Sequence, residues 1–350
     1  MYSSTSDYTR VVYNLSHRYE FLILSPIYEK WRCKFLSMIP SVWLTEAAQR
    51  ISPYVQRTPL TRDKQNDLYL KWENHQTTGS FKLRGALNKV LSLQPWERDR
   101  GLVTASAGNH GQGVAYAARL VGAHVRIFAS EHATPAKVDA MHRLGAEVLL
   151  VPGGYAEAEA AGLSYAQTQG CTWISPYNDS QVIAGQGTLG LEILEQLSGS
   201  ELSTWIVPVG GGGLVSGMAY AIENISPRPK LIGVQSTASP FFHALFHLGS
   251  QDGVTELPSL ADGLSGPVEQ NAVTIPIVQH SLDDILLVTE ENIAEAIRYA
   301  WQQYHECIEG SAAVTLAAVL AGKITEKPSL CVLTGGNIQP EIHRSICKQE

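Results

Sequence analysis

At 350 residues and 44% hydrophobic content, the chain can bury a sizeable core and is long enough for two lobes rather than one. Its formal net charge of -7, with no basic run interleaved with aromatics, gives no electrostatic reason to expect nucleic acid or an anionic membrane as partner. No stretch approaches the roughly 18 apolar residues of a membrane span, and the five cysteines form neither a CxxC pair nor a zinc-type spacing. The composition therefore reads as a soluble, cytoplasmic protein with free thiols and no metal.

Residues 1–37 are rich in Ser, Tyr and charge, without clean periodicity, and read as an extension. Met38 is an alternative start, because regular patterning begins just after it. The apolar patch Phe21–Leu24 is bounded by Glu20 and Pro26 and is too short for a signal-peptide core. Thr45, Ala48 and Ile51 then mark the first helical turns.

From there, short apolar runs alternate with longer helical patterns. Strands are expected at Leu102–Thr104, Val125–Ala129, Glu147–Val151, Trp205–Val209, Leu231–Val234, Ile285–Val288 and Leu330–Leu333. Helices are expected at Phe81–Leu91, Gln112–Leu120, Pro135–Leu144, Tyr155–Gln167, Gly187–Leu197, Leu214–Ile222, Glu291–Tyr304 and Ala312–Leu320. Ser239–Gly266 reads as loop-rich. Such alternation implies an α/β protein with mostly parallel, helix-wrapped sheets. Ligands of such sheets bind beyond the strand C-terminal ends.

Five motifs fall at such ends. In Thr78-Gly79-Ser80-Phe81-Lys82-Leu83-Arg84-Gly85-Ala86, a lysine opens a helix. Desolvation and a helix N-terminus lower an amine's pKa, which suits Schiff-base chemistry with an aldehyde, whereas the plain alternative is a surface lysine. Thr104-Ala105-Ser106-Ala107-Gly108-Asn109-His110-Gly111 links a strand to a helix. Its free amides suit a carboxylate and its Asn109 side chain a phenolic oxygen, although alone it is a capped helix start. Gly210-Gly211-Gly212-Gly213-Leu214 follows a strand, lacks the GxxxxGK[ST] pattern, and offers unobstructed amides to a phosphate; the plain alternative is a flexible turn. Ile308-Glu309-Gly310-Ser311 places an acid just before a helix, where an ordinary first-turn acid also fits. Leu333-Thr334-Gly335-Gly336-Asn337 offers a hydroxyl at the last strand end.

In this order, the five motifs resemble the fold-type II pyridoxal-phosphate enzymes, within them the serine/threonine dehydratase and serine racemase branch. The resemblance runs from about Thr45 to Asn337 and takes in Val182-Ile183-Ala184-Gly185-Gln186-Gly187-Thr188 and Ala261-Asp262-Gly263, which carry no chemistry readable unaided. It implies two lobes, each with a helix-wrapped, mostly parallel sheet. A large cofactor-binding domain would comprise 38–100 and 180–350, with a small domain, 101–179, inserted within it. It implies that Lys82 holds pyridoxal 5'-phosphate and transfers the substrate proton, and that Phe81 packs beside the ring. Asn109 would bond the ring hydroxyl, Gly210, Gly211, Gly212, Gly213 and Leu214 the phosphate, Thr334 would face the ring nitrogen, and Glu309 would lie near the ring. Ser106, Asn109 and His110 would line the substrate carboxylate loop.

The implied activity is that of a threonine/serine ammonia-lyase, converting a small hydroxy amino acid to a 2-oxoacid and ammonia, in a homo-oligomer (dimer or tetramer). Ala107 stands where racemase-type members carry a serine base, which disfavours racemisation. Gln235 and Phe241 stand where metal-binding members carry carboxylates, which disfavours a cation there. The chain stops at Glu350, shortly after the last motif, as in the short catabolic members. Three alternatives are a dehydratase of a bulkier 3-hydroxy amino acid, a serine racemase, and a catalytically silent pyridoxal-phosphate-binding protein; intact Lys82, Asn109 and Glu309 speak against the last.

Overall fold

Two mainly parallel sheets organise the computed structural model, which describes residues 39–348. The chain falls into two units, Met1–Ser41 and Val42–Glu350. The extension expected over 1–37 and the alternative start at Met38 lie outside the described residues.

The smaller sheet is built from one continuous stretch: β3 (Leu102–Ala105), β4 (Val125–Ser130), β5 (Glu147–Val151) and β6 (Thr172–Trp173), all parallel, in the order β5-β4-β3-β6. The larger sheet draws on the chain to either side. Its strands are β1 (Leu60–Asp63), β2 (Leu68–Trp72), β7 (Thr204–Pro208), β8 (Lys230–Ser236), β9 (Asp284–Val288) and β10 (Ser329–Leu333), in the order β1-β2-β10-β7-β8-β9. Only β1 and β2 pair antiparallel. Every residue of β3, β7 and β10 is buried, as expected of strands covered on both faces.

The β1–β2 hairpin lies outside the expected elements because charge interrupts it. Lys71 is fully buried within β2, its amine 2.5 Å from Glu192. Four further helices lie outside the expected ones: Pro95–Asp99, Phe241–Leu248 within the stretch read as loop-rich, Thr274–Ser281 and Pro340–Cys347.

Three helices set the geometry of the interior. These are α2 (Lys82–Ser92), α7 (Ser180–Leu197) and α8 (Gly213–Ile222); α1 is Ser41–Ile51. The second of these starts at Ser180 rather than Gly187, with the Asp179 carboxylate accepting from the amides of Gln181 and Val182. The glycines that disguise this helix let its neighbours approach. A Cβ on Gly217 would stand 2.5 Å from the Gly187 nitrogen, and one on Gly185 would stand 2.6 Å from the Arg84 carbonyl oxygen. Leu83 and Leu87 of α2 share a core with Val114, Ala117 and Ile127 beside the smaller sheet. The helix that begins at Lys82 is thus packed on both sides, which fixes where its first residue lies.

Candidate active site

The turn before Lys82 is tied to the end of β10. Ser80 bridges Gly335, the Phe81 amide donates to the Thr334 carbonyl (3.0 Å), and the Gly336 amide donates to the Gly79 carbonyl (3.0 Å). Gly79 has φ +73, and a Cβ there would stand 2.6 Å from Asn337 Oδ1, so this turn requires glycine. Lys82 is half-buried as a residue; its Nζ donates to the Pro176 carbonyl at 3.2 Å and lies 5.4 Å from the centre of the Phe81 ring. Burial lowers its pKa to about 8 against the opposing pull of Glu309. An amine so tuned is neutral often enough near neutral pH to act as nucleophile or base.

Glu309 precedes α12 (Gly310–Leu320), and its amide donates to the Gly335 carbonyl (3.0 Å). Its carboxylate is buried and accepts from Asn109 Nδ2 at 2.7 Å. Burial, helped by Asp262, pushes its pKa up to about 7, while Lys137 and the Asn109 and Asn337 hydrogen bonds oppose. Asn109 opens α4 (Asn109–Val121), and its Oδ1 accepts from Asn337 Nδ2 at 2.7 Å. Asn337 Nδ2 also donates to the Thr78 carbonyl (2.9 Å), so one amide joins three of the five motifs.

His110 is buried, with Nε2 3.1 Å from the Ile174 carbonyl. Burial and the nearby Lys82 amine push its pKa down to about 3, so the ring is neutral. A neutral ring that donates from Nε2 leaves Nδ1 as an acceptor. Ser106 Oγ accepts from the Gly108 amide (3.1 Å) and so shapes the turn around Gly108.

The glycine run leaves β7 and enters α8. Gly212 has φ +85; a Cβ on Gly211 would overlap the Tyr177 ring, and one on Gly213 would stand 2.9 Å from Tyr177 Cβ. The first amides of α8, including those of Gly213 and Leu214, have no carbonyl of their own helix to bond. With the positive end of the helix behind them, they suit an anion. Tyr177 follows Pro176, whose carbonyl holds Lys82, so one short segment touches both the lysine and the glycine loop.

These features fit a phosphorylated aldehyde with a polar ring. The glycine loop suits its phosphate, Lys82 its aldehyde and the Asn109–Glu309–Asn337 cluster its polar edge. Thr78 Oγ1, Ser80 Oγ and His110 Nδ1 are buried near Lys82 without a protein partner, which marks the site as built for a polar ligand. Asn337 and Tyr177 were missed as functional residues. Asn337 ends the motif Leu333-Thr334-Gly335-Gly336-Asn337, and its signal is an amide after two glycines at a strand end; Tyr177 has no signal in the sequence beyond its place before a helix cap.

Fold and site together define a pyridoxal-phosphate enzyme. A model of the family described as pyridoxal-phosphate dependent enzyme matches residues 46–335, and the chain belongs to that family. It is 40% identical over 310 residues to an L-threonine ammonia-lyase of Geobacter sulfurreducens, covering 86% of this chain and 76% of that one. An L-threonine ammonia-lyase of Thermotoga maritima is 41% identical over 302 residues, covering 84% and 75%. Among solved structures, maize serine racemase superposes with a TM-score of 0.80 at 30% identity, covering 88% of this chain and 96% of that one. No helix among the described residues is long and apolar enough to cross a membrane.

Proposed function

We propose that this chain is a pyridoxal-phosphate-dependent ammonia-lyase acting on L-threonine or L-serine, with Lys82 as its cofactor anchor and base. The observation that carries the reading is the environment of Lys82: a desolvated amine beside the Pro176 carbonyl, on a turn tied to Thr334 through the Phe81 amide, with Glu309, the partner of Asn109, acting on it. When bound, the cofactor supplies an electron sink next to the α-carbon of the amino acid.

The remaining work falls to the chain's own groups. Gly210, Gly211, Gly212, Gly213 and Leu214 would hold the cofactor's phosphate through backbone amides, and Phe81, Asn109, Thr334 and Glu309 would hold its ring and polar groups. The turn of Ser106, Asn109 and His110 receives the substrate carboxylate, with the neutral His110 ring adding no charge. Lys82 takes the α-proton. Loss of the β-hydroxyl as water leaves an enamine, and hydrolysis of that enamine gives a 2-oxoacid and ammonia. Ala107 offers no second base, which favours elimination over racemisation.

The same reading takes 101–179 as a small domain within a large one formed by 38–100 and 180–350. It takes the enzyme as a cytoplasmic homo-oligomer, a dimer or tetramer.

The test has two arms. Borohydride reduction of the cofactor-loaded enzyme followed by peptide mapping should place the cofactor on Lys82. A panel of 3-hydroxy amino acids should give the most 2-oxoacid from threonine or serine, and Lys82→Ala should abolish it. Full turnover by Lys82→Ala sinks the mechanism, and no 2-oxoacid from threonine or serine removes the substrate assignment.

A further inference from the structure

Lys137 stands in the first turn of α5 (Pro135–Arg143), a helix that follows β4 of the smaller sheet. Its ammonium donates to Asp262 Oδ2 at 2.9 Å, across 125 residues of sequence. Asp262 opens the short turn Asp262–Leu264, which is itself anchored. The Gly263 amide donates to Ser311 Oγ (2.9 Å), and a Cβ on Gly210 would stand 3.3 Å from Leu264 Cα. Asp262 is therefore fixed relative to both the glycine loop and the helix that follows Glu309.

At its other end, the pair touches the turn that carries Asn109. A Cβ on Gly108 would stand 3.8 Å from Lys137 Cδ and 3.9 Å from its Nζ. The Lys137 side chain is only 20% exposed, although Asp262 is 62% exposed. An ion pair with one exposed partner contributes little through charge alone. Its weight here comes from placement, because the lysine stem lies along backbone that must hold a defined shape. Both charges also act on the Glu309 carboxyl, Lys137 lowering and Asp262 raising its pKa, which places the pair beside the site.

We propose that Lys137 and Asp262 are a positioning pair that seats the Ser106–His110 turn against the glycine-loop side, so that the turn's amides are presented to the substrate carboxylate. This rests on the amino-acid lyase reading above. Neither residue touches the reacting atoms; Lys137 acts through the Gly108 backbone.

Hydrogen exchange in the cofactor-loaded enzyme reads the seating without reference to any substrate. Lys137→Met and Asp262→Asn should each speed exchange over residues 106–113 by about fivefold, the size of a weak tether released, and leave β7 and β10 unchanged. The conservative variant Lys137→Arg, which keeps both a long stem and a charge for Asp262, should retain most of the protection. In turnover, Lys137→Met and Asp262→Asn should raise KM for the amino acid by about fivefold and change kcat by less than about twofold, as expected of a lost binding contact. Unchanged exchange in both Lys137→Met and Asp262→Asn overturns the proposal, as does a Lys137→Arg variant no better protected than Lys137→Met. Wild-type enzyme inert toward every 3-hydroxy amino acid would overturn the lyase reading instead, and the exchange result would still decide the pair.

Discussion

Asn109 Nδ2 donates to Glu309 Oε1 across 2.7 Å, although 200 residues separate them. The bond ties the start of α4 to the start of α12, and it falls on a carboxyl whose pKa burial and Asp262 push up to about 7. Because the folded pKa lies above that of the unfolded chain, Glu309 favours the folded state most at low pH. That contribution fades as pH rises from about 4.5 toward about 7 and the buried acid ionises. Glu309→Gln keeps an acceptor for Asn109 and cannot ionise. Thermal unfolding of the full chain without added cofactor should give similar midpoints for the two proteins near pH 5. The variant should gain relative to wild type as pH approaches 8. A difference in midpoint independent of pH would count against a raised Glu309 pKa.

Arg84 lies two residues beyond Lys82 and meets Glu73 as a fork, Nε to Oε2 and Nη2 to Oε1, both at 2.8 Å. Nη2 also reaches Glu192 Oε2 at 2.9 Å, and Glu192 meets Lys71. Burial opposes the Arg84 charge, but Glu73 and Glu192 outweigh it and hold the guanidinium ionised. Removing one partner leaves a buried charge uncompensated, which costs about 3–5 kcal/mol. Arg84→Met and Glu73→Gln should each lose stability on that scale in denaturant titration. Arg84→Lys should recover only part of it, because an ammonium cannot reproduce the two parallel bonds. A loss near zero in either single variant would mean that the cluster does not hold the Lys82 helix.

What was legible in the sequence follows from which physical signals are local. Strands β3, β7 and β10 are continuous apolar runs, buried on both faces, and their limits lie within a residue or so of expectation. The motifs at their ends were legible for the same reason, since each follows a strand whose end is clear. Strand β2 was not, because buried Lys71 finds its counter-charge in Glu192, and no local pattern announces a partner 121 residues away. The early start of α7 was hidden too. Gly185, Gly187 and Gly190 weaken a helix in isolation, and they are tolerated here because Arg84, Gly217 and Ala221 stand where their side chains would be. Asn337 was seen as the end of a motif, but its bridge to Asn109 and Thr78 depends on contacts that only the folded chain makes.

Tyr177 is the residue that makes Gly211 obligatory. Its ring lies where a Cβ on Gly211 would have to go, and its hydroxyl is fixed by the Glu269 amide at 3.0 Å, so the ring cannot easily swing aside. Gly211→Ala must therefore displace either the loop or the tyrosine, and overpacking of this kind costs about 1–3 kcal/mol. If the loop moves, its amides turn from the phosphate, and cofactor affinity should fall by about tenfold, the equivalent of 1.4 kcal/mol. Combining Gly211→Ala with Tyr177→Ala removes the clash and should restore part of the affinity. Fluorescence titration of the cofactor-free protein with pyridoxal 5'-phosphate distinguishes the cases. A single variant that binds as tightly as wild type would mean that the loop accepts a side chain. A double variant no better than the single would mean that Tyr177 itself holds the loop, not merely that it excludes a methyl group.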